Sequence, residues 1–124
     1  MKLLAFAIFT FFILVVFFLA YLNLIPTKID EIPHYDTIGH FTLYGIWGYL
    51  FALVLIRPAI SILKLKLPIG ILTVSLIAIA EECLQSLSVN RSFSILDITW
   101  GMLGIVTALL VINFNSRRKS LKKN

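Results

Sequence analysis

From Leu3 to Leu24 the chain carries no charged side chain. As a helix rising about 1.5 Å per residue, a run of that length spans the roughly 30 Å hydrocarbon core of a bilayer. Three further apolar runs follow, over 38–56, 68–87 and 95–114, separated by short connections. With 60% hydrophobic and 14% charged residues in 124, a water-soluble fold has too little interior to hide the apolar surface. The expected fold class is all-α: a polytopic membrane protein with four transmembrane helices in a small bundle. One domain is expected over 1–113 and a basic tail over 115–124. A cleaved signal peptide is the alternative for the first run. Its apolar stretch is too long for a signal core of about 7–15 residues and no small-residue cleavage site follows, so an uncleaved span is expected.

Prolines punctuate the connections. Pro26 and Pro33 fall between the first two spans, Pro58 just after the second, and Pro68 where the third begins. A proline at the start of a helix loses nothing, because its missing N–H has no intrahelical partner there.

Charge sets the expected orientation. Lys2, Arg57, Lys64, Lys66, Arg117, Arg118, Lys119, Lys122 and Lys123 fall on one side of the four spans, and only Lys28 and Arg91 on the other. The side rich in Lys and Arg is the cytoplasmic one, so both termini are expected there. The net charge of +5 is then a topology signal with some attraction to anionic lipid. A nucleic-acid partner is not expected, since no basic face carries a reading element. The six acids, Asp30, Glu31, Asp36, Glu81, Glu82 and Asp97, all fall towards the outer side. The single cysteine, Cys83, has no partner for an internal disulfide.

Helices in lipid pack through small and polar residues, because lipid removes the hydrophobic drive between them. The last three spans each carry such a stripe at spacings of three and four. It reads Asp36, His40, Tyr44, Gly48, Ala52 on the second; Ser75, Ala78, Glu82, Gln85 on the third; Asp97, Gly101, Gly104, Ala108 on the fourth. The first span has none and is expected at the periphery. Alternating directions bring Asp36, His40, Glu82, Gln85 and Asp97 to one depth beneath the outer surface, with Arg91 in the connection above. A charge at the centre of a spanning helix costs about 2.5–3.5 kcal/mol on insertion scales, which argues against accident. Successive side chains on a helix diverge by about 100°, so Glu82, on the stripe, is expected to face inward and Glu81 outward.

The stretches "DTIGHFTLYG" and "EECLQSLSVNRSFSILDITWGMLG" resemble the two motifs of VanZ-like membrane proteins. The first motif is D-K-x-x-H-F-x-x-Y, matched by Asp36, His40, Phe41 and Tyr44. The second is E-x-x-Q, then R, then D, then a glycine-bearing helix, matched by Glu82, Gln85, Arg91, Asp97 and Gly104. Thr37 stands where the family often has Lys, and Gly101 where it often has Asn. The resemblance implies an integral protein of the cell envelope, in a family whose founding member is linked to low-level teicoplanin resistance.

Three functions fit these residues. One is a binding protein, in which His40, Glu82, Arg91 and Asp97, with Asp36, Tyr44 and Gln85, hold a cell-wall precursor, glycopeptide or lipid headgroup. Another is an enzyme with Glu82 and His40 as acid and base on a lipid-linked substrate, side-chain types that suffice for such chemistry. The third is a polar cluster that only ties helices together. Asp36 then acts as an N-cap and "SILD", Ser94 to Asp97, as a capping box. No cofactor is expected. His40, Glu82 and Asp97 offer ligand atoms, but no H-E-x-x-H or paired-cysteine spacing marks a metal site, and none is expected.

The charge asymmetry yields a direct test. A reporter active only in the cytoplasm, fused after Asn124, should be active; a dead reporter on a well-expressed fusion would reverse the orientation.

Overall fold

The computed structural model describes residues 1–25, 34–55, 58–62, 65–87 and 93–121. Pro26, Lys28, Asp30, Glu31, Pro33, Arg57, Lys64, Arg91, Lys122 and Lys123 lie outside the described residues. The fold is helical: α1 (Lys2–Tyr21), α2 (Tyr35–Val54), α3 (Ile69–Gln85) and α4 (Ile95–Leu121), with a two-stranded antiparallel hairpin, β1 (Pro58–Ile62) and β2 (Leu65–Pro68), between α2 and α3. By length and composition α1, α2 and the 95–118 part of α4 are apolar enough to cross a membrane.

Helix boundaries differ from the expected spans for local reasons. Asn23 takes a left-handed backbone conformation (φ 55°), and the Leu24 and Asn23 amides donate to Leu19 and Ala20 carbonyls, which ends α1. Asparagine tolerates that conformation better than a branched residue does. Helix α2 begins before residue 38, after His34 at φ 58°. Asp36 therefore lies inside the first turn rather than at the N-cap, where its carboxylate still complements the helix dipole. Helix α3 has 17 residues, fewer than the expected 68–87. Helix α4 continues past residue 114 into the basic segment, where Arg117 and Arg118 suit the negative end of the dipole. The hairpin was not expected. Its pairs Ile60 with Leu67, Ser61 with Lys66 and Ile62 with Leu65 use the alternation in "ISILKLKL", a period-two signal.

Helix α2 is central and packs against α1, α3 and α4. The three expected stripes face inward except at Asp36, which starts the α2 stripe and is only half-buried. His40, Tyr44, Gly48, Ala52, Ala78, Glu82, Gln85, Asp97, Gly101, Gly104 and Ala108 are buried, while Ser75 is half-buried. The α2–α4 contact is the closest. A Cβ on Gly104 would collide with the Phe41 carbonyl, and one on Gly101 would stand 3.0 Å from Cδ2 of Tyr44. Helix α1 lies against α2 at the edge. Ile13 is fully buried, Phe6 stacks on Phe51 at 4.7 Å, and Trp47 Nε1–H donates to Thr10 Oγ1 at 3.0 Å. The rest of α1 presents Leu3, Leu4, Ile8, Phe11, Leu14 and Phe18 outward, an apolar face compatible with a membrane span.

This geometry separates two glycines. Gly104→Ala should destabilise the protein by about 1–3 kcal/mol, because the helix backbones must part to admit a methyl. Gly39 has nothing within 4 Å of its Cβ position, so Gly39→Ala should be neutral or stabilise by up to about 1 kcal/mol through helix propensity. Thermal unfolding in detergent micelles distinguishes the two.

Candidate functional site

The site begins with His40, one turn into α2. Its Nδ1 lies 2.9 Å from the Asp36 carbonyl oxygen. A carbonyl only accepts, so Nδ1 donates and the ring is held with Nε2 pointing away from its own helix. Carboxylates from three helices surround the ring. Asp36 Oδ1 is 3.5 Å and Asp97 Oδ1 4.0 Å from Nδ1, and Glu82 Oε2 is 3.9 Å from Nε2.

Glu82 is 1% exposed, and its other oxygen accepts a 2.6 Å hydrogen bond from the backbone N–H of Ser94. Ser94 in turn accepts from the Asp97 N–H through its hydroxyl, at 3.2 Å. This is half of the expected capping box. In a full box the side chain of Asp97 would return to the Ser94 amide. Here Glu82 of α3 takes that amide, and the Asp97 carboxylate faces His40.

Glu81 corrects the sequence reading. It is buried, not outward: Tyr44 donates its hydroxyl to Oε2 at 3.1 Å, and Gln85 Nε2 donates to Oε1. Helix α3 lies against both α2 and α4, so its buried arc is wide enough to take two successive side chains. Glu81 faces Tyr44 of α2, and Glu82 faces the start of α4. The sequence held the signal. Glu81 is four residues before Gln85 and three after Ala78, which puts it on the same inward face. Ser94 caps α4 as the sequence suggests, but its bond to Glu82 runs through a backbone amide, which no side-chain pattern announces.

The structure thus brings together Asp36, His40, Tyr44, Glu82, Gln85 and Asp97, and adds Glu81. Arg91, expected as a partner of these acids, lies outside the described residues. A cavity of about 310 Å³ opens beside the cluster. Its α1 wall is apolar, made by Val16, Phe17, Leu19 and Ala20; Asp36, His40, Tyr44, Glu81 and Gln85 line the facing side. One chamber therefore offers hydrocarbon on one side and hydrogen-bonding groups on the other. Among the described residues that line it, every ionisable side chain is a carboxylate, a histidine or a tyrosine, so the chamber favours hydroxyl, amine or cationic groups.

Tyr44→Phe tests the inner layer. It removes one donor from the buried Glu81 carboxylate and should cost about 1–3 kcal/mol, the usual penalty for stripping a buried polar group of a partner. Thermal unfolding of the purified variant measures it.

Comparison of the chain with protein-family models, curated proteins and solved structures found no match.

Proposed function

We propose that this chain is a VanZ-like envelope protein that crosses the membrane four times with both termini in the cytoplasm, and that its polar chamber holds the headgroup of an amphiphilic envelope ligand. The amphiphilic cavity supports this most. An acyl or prenyl chain suits the α1 wall, and a hydroxyl- or amine-bearing headgroup suits the acceptors of Asp36 and Glu81 that line the chamber, with Glu82 and Asp97 adjoining them around His40. For α3 the four-crossing reading joins its apolar first part to a polar end. Its 17 residues fall short of the about 20 of a full span, and the deficit lies where Glu81, Glu82 and Gln85 meet the other helices.

The residues that carry the VanZ resemblance support the reading from another direction. Asp36, His40, Tyr44, Glu82, Gln85 and Asp97 come from three helices and converge on one cluster. A link to low-level teicoplanin resistance belongs to the same proposal. The acid–base alternative draws on the same two side chains, His40 and Glu82, and no further observation favours it over binding.

Glu82→Gln tests the reading. The amide oxygen can still accept from Ser94, so the fold should persist while the charge is lost. Native mass spectrometry of protein extracted from membranes should show an amphiphile retained by the unaltered chain. Retention should fall about tenfold or more in Glu82→Gln, a loss of about 1.5–3 kcal/mol from a charged hydrogen bond. Cells making the variant at normal levels should lose any gain in teicoplanin tolerance that the unaltered chain confers. Equal retention by both proteins would overturn the ligand reading.

A further inference from the structure

We propose that His40, Glu81 and Glu82 form a binding site for a first-row transition-metal dication. In the neutral ring, Nδ1 donates to the Asp36 carbonyl at 2.9 Å and Nε2 keeps its lone pair for a metal. That lone pair faces Glu82 Oε2 at 3.9 Å, and a carboxylate oxygen also brings lone pairs. With the ring neutral the two atoms are both acceptors at a distance too long for a hydrogen bond; with it protonated they form an ion pair. Among the described residues no N–H or O–H group donates to either atom. Both side chains are deeply buried, His40 at 9% and Glu82 at 1% exposure.

A metal dication between them would use both lone pairs of the neutral-ring state. Ligand atoms from His40, Glu81 and Glu82 all lie within 4.8 Å of one another. Around a metal at about 2.0–2.2 Å from its ligands, nitrogen and oxygen atoms stand roughly 3–4 Å apart, so small rotamer adjustments complete the site. The supporting contacts are those that metal-binding histidines use. The ring N–H away from the metal is anchored to a backbone carbonyl, and Tyr44 and Gln85 orient the Glu81 carboxylate. An imidazole among carboxylates suits Zn²⁺ or Mn²⁺ better than Mg²⁺ or Ca²⁺, which prefer all-oxygen shells. Three protein ligands leave a coordination position for water or an incoming oxygen. The sequence hides such a site because the donors are adjacent on one helix and 41 residues away on another. The metal proposal stands whether or not the neighbouring cavity holds an amphiphile.

The test uses the full chain in detergent, purified through a tag without histidine, stripped with chelator and desalted. The background is His34→Ala with Cys83→Ser, which removes the other imidazole and the thiol, both exposed. Zn²⁺ titrated by calorimetry should bind at one site per chain, without competition from millimolar Mg²⁺. His40→Gln and Glu82→Gln should each weaken Zn²⁺ binding at least tenfold. Should either variant fail to fold, pulsed electron paramagnetic resonance of Mn²⁺ or Cu²⁺ on the background protein still decides. His40 is then the sole histidine, so nitrogen modulations from one imidazole assign it. Absence of stoichiometric binding, binding that survives both substitutions, or a bound metal without the imidazole signal would overturn the proposal. Amphiphile retention is measured separately, so that reading and this one can fail independently.

Discussion

The α2–α4 interface sets the geometry of everything above it. In lipid, two helices gain little by burying apolar surface against each other, so they associate where their backbones come close and make many van der Waals contacts. Gly104 permits that approach by presenting only hydrogen to the Phe41 carbonyl. The closeness fixes α4 against α2 at the level where His40 and Asp97 meet. Gly101 continues the same contact and leaves room for the ring of Tyr44, whose hydroxyl then reaches Glu81 on the third helix. A single methyl in this seam would move the acids as well as the helices.

Much of this was written in the order of the residues. Small and polar side chains at spacings of three and four identified the inward faces of α2, α3 and α4, and reversal of chain direction placed their polar ends at one depth. The absence of a stripe on α1 foretold its edge position. What escaped were features that no single-helix periodicity records. The inward placement of Glu81 depends on α3 having two neighbours rather than one. The early start of α2 depends on a left-handed histidine at position 34, and the hairpin on a short alternating pattern amid a mostly helical sequence. The Glu82–Ser94 bond joins a side chain to a backbone amide, and only coordinates reveal that kind of contact.

The cluster also shows how structural and functional roles share one set of atoms. Asp97 could have closed its own capping box. Because Glu82 takes the Ser94 amide instead, Asp97 is available to the histidine. Glu82 in turn spends one oxygen on helix capping and leaves the other directed at the ring. A chemist altering either acid therefore changes an end of a helix and a face of the site together, and the two effects separate only through substitutions that keep the accepting oxygen.

The Glu82–Ser94 contact has a consequence for how such a chain enters a membrane. Helices α1 and α2 are each long and apolar enough to be accepted singly, one after the other. Helix α3 is short and ends in two acids, so on its own it would be poorly retained in hydrocarbon. The group that satisfies Glu82 belongs to the turn that starts α4, which emerges from the ribosome 12 residues later. On the four-crossing reading the last two helices are best inserted as a pair, with the carboxylate and the helix start joined before either is committed to lipid. The order of synthesis would then be part of the fold, and separating α3 from α4 with a long insert would impair biogenesis even where the finished helices are unchanged.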